Sequence, residues 1–198
     1  MRCYLSILLF LLLLAPAKAQ PKYEVRAAWV TAVYGLDWPR TKATTPTAIR
    51  RQQEELTDIL DKLKAANFNT ILFQTRTRGD VLYHSSIEPY NSILTGKVDG
   101  DPGYDPLAFA VRECHKRGME CHAWMVAIPL GNKKHVASLG NKSVTKQRKE
   151  ICIPYKNEYF LNPGHPSTKE YLMKLVREVV TRYDIDGVHF DYLRYPEN

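Results

Sequence analysis

Cysteine is scarce in this 198-residue chain, and what there is does not pair off. Of its 4 cysteines, Cys3 falls in the extreme N-terminal run, which leaves Cys114, Cys121 and Cys152. An odd set without a Cys-x-x-Cys pair argues against a disulfide framework and against a thiol redox centre. Cys114 falls on a predicted helix and Cys121 at a strand start, where a thiol packs as a small hydrophobe. No glycine-rich phosphate loop follows the first predicted strand, so no nucleotide cofactor is indicated. Neither a Gly-x-Ser-x-Gly elbow nor a His-Glu-x-x-His pair occurs, and serine-hydrolase and zinc-protease chemistry lack their signatures. No apolar run reaches the about 20 residues that a spanning helix needs. Low-complexity segments are absent, and no shift in composition marks a second domain.

The longest apolar run is N-terminal, from Tyr4 to Leu14. Arg2 precedes it and Ala17-Lys18-Ala19 follows as a small-x-small site, the pattern of a cleavable secretory signal. The expectation is a signal peptide over residues 1–19 and a mature chain from about Gln20. That chain would be secreted or periplasmic, with no stable membrane insertion. Cys3 precedes the run, so it is not a lipid attachment site. Loss of Arg2 and Lys18 lowers the formal charge of +7 by two, a mild excess that is no nucleic-acid footprint. Lysines gather between Lys133 and Lys149 and read as a solvated loop; attraction to an anionic glycan is the other reading.

From Glu24 onward strand and helix signals alternate. Val25 to Val33 is rich in β-formers. Thr47 to Ala66 carries Ile49, Leu56, Ile59, Leu60 and Leu63 at helical spacing behind Pro46. Thr70 to Thr75 is a second strand, followed by a long polar loop from Arg76 to Gly103. Asp105-Pro106 opens a helix that Gly118 ends, and Met119 to Val126 is a third strand. A second long loop covers Ala127 to His165. Pro166 starts a third helix with apolar positions at Tyr171, Leu172, Leu175, Val176 and Val179. Asp186 to Asp191 is the fourth strand. The order β-α-β-α-β-α-β implies a parallel sheet with right-handed crossovers. Long loops after strands and tight turns before them favour a (β/α)8 TIM-type barrel over a doubly wound sheet. A complete barrel takes eight strands and about 250 residues. Four units are present, so residues 20–198 are expected to be the N-terminal part of such a barrel.

Strand parity selects the chemistry. In Gly187-Val188-His189-Phe190-Asp191, His189 and Asp191 share one face while Val188 and Phe190 share the other. The same rule pairs His122 with Trp124, Gln74 with Arg76 (continued by Arg78), and Trp29 with Thr31, with Tyr34, Asp37 and Trp38 just beyond. Tyr192 and Arg194 follow Asp191. An acid, guanidinium groups, an amide and aromatic rings would then meet at one rim. Aromatic faces stack on pyranose rings, and Arg, Gln and carboxylates bond their hydroxyls. Asp191 is the candidate catalytic carboxylate for glycoside hydrolysis, which needs two such groups. The alternative for Asp191 is a structural pair with Arg194 or Arg76. His122, His189 and Asp191 as metal ligands form a further alternative, without supporting spacing. Asp186 is expected to cap or pair at the opposite end. His84, His115, His135 and His165 look like loop or surface residues.

Several runs resemble the bacterial glycosyl-hydrolase-like 10 family. They are Glu24-Val25-Arg26-Ala27-Ala28-Trp29-Val30-Thr31, the stretch Asn69 to Tyr83, Tyr104-Asp105-Pro106-Leu107, His115 to Trp124, Leu161-Asn162-Pro163-Gly164, and Asp186 to Tyr192. They occur in order over nearly all of the mature chain. Two departures stand out: Thr75-Arg76-Thr77 where the family has Val-Arg-Pro, and Asp191-Tyr192 where it has Asp-Asp. The resemblance implies a TIM-type barrel and action on glycosidic bonds of a polysaccharide or peptidoglycan glycan strand. It also implies that Arg76, His122, Trp124, Asn162, His189 and Asp191 line a sugar cleft. A carbohydrate-binding protein without catalysis, and a metal-dependent deacetylase or amidase, are the competing functions.

Overall fold

The computed structural model describes residues 24–195, so the expected signal peptide lies outside the described residues. Four strands, β1 (Ala27–Val30), β2 (Thr70–Arg76), β3 (Glu120–Val126) and β7 (Gly187–Asp191), form one sheet in the order β1-β2-β3-β7. Every neighbouring pair in it is parallel. Three helices make the crossovers: α1 (Pro46–Ala65), α2 (Pro106–Lys116) and α5 (Pro166–Arg182). Each starts with proline, whose missing N–H costs nothing in a first turn. The preceding residue caps the helix: Thr45 accepts from the Ala48 N–H, Asp105 from that of Ala108, and the His165 ring from that of Ser167. These caps satisfy donors that would otherwise be orphaned.

Residues paired in register in a parallel sheet point the same way, and the two faces differ sharply. One face puts Val30, Ile71, Phe73, Cys121 and Ala123 against Leu56 and Leu60 of α1, Leu107 and Cys114 of α2, and Val179 of α5, all buried. Each large aliphatic side chain buried there contributes about 1.5–3 kcal/mol. Cys114 and Cys121 are free thiols in this core, as their apolar surroundings suggest. The other face carries Trp29, Leu72 and His122 in one row, and Gln74, Trp124 and His189 in the next. Among the described residues, no helix packs there.

That second face is concave. Trp29 Nε1 lies 3.4 Å from His189 Nε2, with the rings 5.9 Å apart, although β1 and β7 are separated by two strands. In a flat sheet, strands spaced about 4.8 Å would leave these outermost strands roughly 14 Å apart. The sheet must curl for the two rings to meet.

Three expectations need correction. The first strand is shorter than Val25 to Val33, because the Asp37 carboxylate takes the Thr31 N–H and a 3-10 turn follows at Val33–Gly35. The loop from Arg76 to Gly103 is not merely polar: Val81, Leu82, Tyr83 and Leu94 are buried in the helix-side core. The stretch from Ala127 to His165 is not a loop. It folds as β4 (Pro129–Asn132), α3 (Lys133–Ser138), α4 (Val144–Gln147), β5 (Cys152–Tyr155) and β6 (Glu158–Leu161). Its strands form a separate antiparallel sheet, β4-β6-β5. A second core of Ile128, Leu130, Val136, Val144, Ile151 and Phe160 lies beneath them.

Candidate active site at the strand ends

Asp191 ends β7 on the concave face, and both of its oxygens are engaged. Oδ2 accepts from Trp124 Nε1 at 3.1 Å and Oδ1 from the Tyr192 N–H at 2.7 Å. Two N–H donors fix the carboxylate plane and leave the group an acceptor. His189 lies one row deeper, beside Trp124 in register and touching Trp29. Trp29 itself is 57% exposed and Trp124 half-buried, so neither is an enclosed core residue. Gln74 completes the row. Its Oε1 accepts from the Thr31 hydroxyl and from the Ala32 and Val33 N–H groups, while its buried Nε2 has no hydrogen-bond partner. A buried donor left open is costly, and such groups call for an explanation.

Arg76 is not part of this cluster. The ladder between β2 and β3 slips between Gln74 and Arg76, where a bulge inserts one extra residue. One extra residue turns every following side chain to the opposite face. Arg76 therefore enters the helix side, fully buried. Its Nε and Nη2 each lie 2.7 Å from a Glu88 oxygen, and it also donates to the carbonyls of Val126 and Ala127. Burial alone would lower its pKa, but the Glu88 carboxylate keeps it raised. The structural pair considered for Asp191 with Arg76 is excluded by the same geometry.

The remaining predicted residues divide. His122 sits on the concave face at the opposite, N-terminal end of β3, with Nε2 3.0 Å from Glu120 Oε2. Asn162 serves a turn into α5, its Oδ1 accepting from the Gly164 N–H. Trp38 is buried and donates to the Gln52 carbonyl. His122, His189 and Asp191 thus do not converge, and among the described residues no group of three or more His, Cys, Asp or Glu is placed to hold a metal. Asp186 pairs at the far end as expected, accepting from the Cys121 N–H and lying 2.9 Å from His115 Nε2. Arg78, Tyr192 and Arg194 come together in a cleft of about 330 Å³ beside Asp191, closed on its other side by Tyr155, Lys156 and Glu158 of the β5–β6 hairpin.

The residue pattern did not disclose this hairpin, nor the buried carboxylate Asp80. Asp80 is 1% exposed and accepts from the Thr77 hydroxyl and the Arg78 N–H. Burial pushes its carboxyl up, against the downward pull of His135, whose Nε2 is 3.6 Å away. His135 also bonds the Arg78 carbonyl, so it is no plain surface residue. The available signal was Arg78-Gly79-Asp80: a glycine at φ 79°, next to a carboxylate, marks a tight turn at a strand end.

Residues 24–198 match the family model described as Glycosyl hydrolase-like 10. The chain belongs to this family. Among its relatives is Glycosyl hydrolase YngK of Bacillus subtilis, 34% identical over 181 residues that cover 91% of this chain and 35% of that protein. Glycosyl hydrolase DigH of Escherichia coli is 34% identical over 197 residues, covering 92% of this chain and 45% of that protein. This glycosyl-hydrolase-like chain therefore spans less than half the length of these curated relatives. Among solved structures, a maltogenic α-amylase of Thermotoga neapolitana is similar with a TM-score of 0.54 at 15% identity, covering 86% of this chain and 39% of that one. The chitobiase of Flavobacterium johnsoniae gives 0.51 at 16%, covering 86% and 23%. At that identity the likeness is one of fold.

Proposed function

We propose that this chain forms the first four β/α units of a (β/α)8 barrel that hydrolyses glycosidic bonds of a polysaccharide or peptidoglycan glycan strand. Asp191 is one of its two catalytic carboxylates. The observation that carries the reading is the placement of Asp191 at the C-terminal end of a parallel strand, on the helix-free concave face, with Trp124 donating to it. The C-terminal ends of barrel strands are where such enzymes hold their chemistry. A carboxylate whose two oxygens accept N–H bonds is suited to attack or to stabilise positive charge at the anomeric carbon, rather than to protonate the leaving oxygen. The acid then comes from elsewhere in the full-length protein. Trp29 and His189 flank the space in which the sugar would lie. A secreted or periplasmic location, proposed from the leader, would bring the enzyme to such a glycan.

Release of reducing ends from cell-wall glycan and from plant and bacterial polysaccharides by the full-length protein tests the reading. Asp191→Asn should lower the rate at least about a hundredfold, the scale of a lost catalytic group. Unchanged turnover in that variant removes Asp191 from the mechanism. Glycan binding without any release by the unaltered protein would convert the site into a carbohydrate-binding one.

A further inference from the structure

The cleft beside Asp191 has two walls built alike. On the hairpin wall, Lys156 Nζ lies 5.2 Å from the centre of the Tyr155 ring. On the strand-end wall, Arg194 Cζ lies 5.1 Å from the centre of the Tyr192 ring. Each wall also turns on a residue in the left-handed region, Lys156 at φ 52° and Tyr192 at φ 50°. Neither is glycine, and a side chain there costs of order 1–2 kcal/mol. Such strain collects where a side chain must be aimed. Tyr192 is also tied to the carboxylate, since its N–H bonds Asp191 Oδ1. The cleft is therefore lined by the residue that directly follows the proposed catalytic group and is hydrogen-bonded to it.

Its charge is lopsided. Arg78, Lys156 and Arg194 line it, against Glu158 as the one acid among the lining residues. Arg78 Nη1 stands 3.9 Å from Glu158 Oε1, beyond hydrogen-bond length, with both side chains more than a third exposed. A pair this open and this long is worth little, so a better acceptor displaces it readily. A ligand carboxylate is that acceptor, because it offers a guanidinium two parallel bonds. Two tyrosine rings are among the residues lining a space of about 330 Å³, which suits a single ring with a small substituent.

We propose that this cleft is a subsite for a carboxylate-bearing sugar residue of the glycan, held by Arg78 and Lys156 and flanked by Tyr155 and Tyr192. The proposal rests on the glycan reading above and adds to it the sign of the substrate's charge and the residues that read it. Selection is electrostatic, so it should fade as salt screens exposed charges.

The test is calorimetric binding by the full-length Asp191→Asn protein. The probes are uronic-acid oligosaccharides from pectate, alginate and hyaluronan, each compared with the same oligosaccharide after its carboxyls are reduced to alcohols. At least one acidic probe should bind tenfold or more tightly than its reduced partner. Arg78→Gln and Lys156→Gln should each shrink that ratio several-fold; Lys156 is exposed at a hairpin turn, so its variant keeps the fold. Equal affinities within every pair, or a ratio that survives both substitutions, overturns the proposal. Reducing-end release by the unaltered protein is measured in parallel. Carboxylate-selective binding without release leaves the subsite standing and removes the glycosidase reading. Release without carboxylate selectivity does the reverse.

Discussion

Trp124 Nε1 donates to Asp191 Oδ2 at 3.1 Å, across the β3–β7 boundary. The bond joins neighbouring strands near their C-terminal ends, and strand pairing fixes its geometry. Val126 is the register partner of Asp191, and Trp124 that of His189, so the indole reaches diagonally up one row. Diagonal neighbours on one sheet face lie within reach of long side chains. Local backbone order therefore positions the carboxylate, not a mobile loop.

Replacing Trp124 with Phe keeps most of the ring and removes only the donor. A hydrogen bond to a charged group contributes about 1.5–3 kcal/mol, so turnover should fall roughly 10- to 100-fold if the bond persists in the transition state. The effect should appear in kcat more than in KM. Steady-state kinetics on the full-length protein would check this. An equal loss in Trp124→Phe and Trp124→Ala would assign the effect to the donor, and a loss in Ala alone to the ring.

Arg76 and Glu88 form a two-point ion pair at zero exposure for both side chains, and the Tyr171 hydroxyl donates to Glu88 at 2.7 Å. Removing one partner strands the other charge in the core, which typically costs about 3–5 kcal/mol. Glu88→Gln should therefore lower unfolding stability by about that amount, read by chemical denaturation. Arg76→Met together with Glu88→Leu should recover most of the loss, because no buried charge remains. If the single and double variants were equally unstable, the packing rather than the pair would be responsible.

The Arg76 case shows where a linear pattern stops being informative. Strand parity puts Trp29, His122, Trp124, His189 and Asp191 on one sheet face, because β1, β3 and β7 run without interruption through those residues. It does not say which end each occupies, and His122 sits away from the rim. It failed after Gln74, since a bulge depends on partner strands that no local window contains. The four parallel strands and three crossover helices were legible for the same reason: their periods repeat over several turns or strand residues. The β4–β6–β5 sheet was not, because Pro129 and Gly131 in β4 and Pro154 in β5 break the run of β-formers that marks a strand. The partners of Asp80 and Glu88 were equally hidden. His135 is 55 residues from Asp80, and Tyr171 lies 83 residues from Glu88, so only the folded chain brings them together.

Glu178 fastens α5 to the segment after β2. Its carboxylate accepts from the Ser85 hydroxyl at 2.6 Å and from the Ser86 N–H and hydroxyl at 2.7 and 2.8 Å. Burial would raise its pKa, but these hydrogen bonds outweigh burial and hold it below the ordinary value. A carboxyl depressed in the folded state stabilises it fully above the unfolded value of about 4.3 and loses this as pH falls through the folded value. Glu178→Gln should thus be less stable than the parent at pH 7 by about 1–3 kcal/mol. The gap should narrow as pH falls below about 4, seen in denaturation series across pH. A gap that stays constant to pH 2 would show that the carboxylate charge is not involved.

Gly187 faces His122 as its register partner, and a Cβ at Gly187 would stand 2.6 Å from His122 Nδ1 and 2.8 Å from Cε1. Two responses are open. The ring can swing away, which gives up its 3.0 Å contact with Glu120, or the strands can separate, which strains the β3–β7 ladder. Either response to overpacking costs about 1–3 kcal/mol. Gly187→Ala should be destabilised by that amount in chemical denaturation. In a His122→Ala background the obstacle is gone, and the same substitution should cost nothing or stabilise slightly by restricting the unfolded chain. The difference between the two backgrounds is a coupling energy for a pair 65 residues apart, and independent sites would show only about 0.3–0.5 kcal/mol. A coupling no larger than that would mean the sheet absorbs the methyl group without moving the imidazole. Strong coupling would show that the glycine is needed at β7 to admit the His122 ring, which sets how closely β3 and β7 approach beneath the Trp124–Asp191 bond.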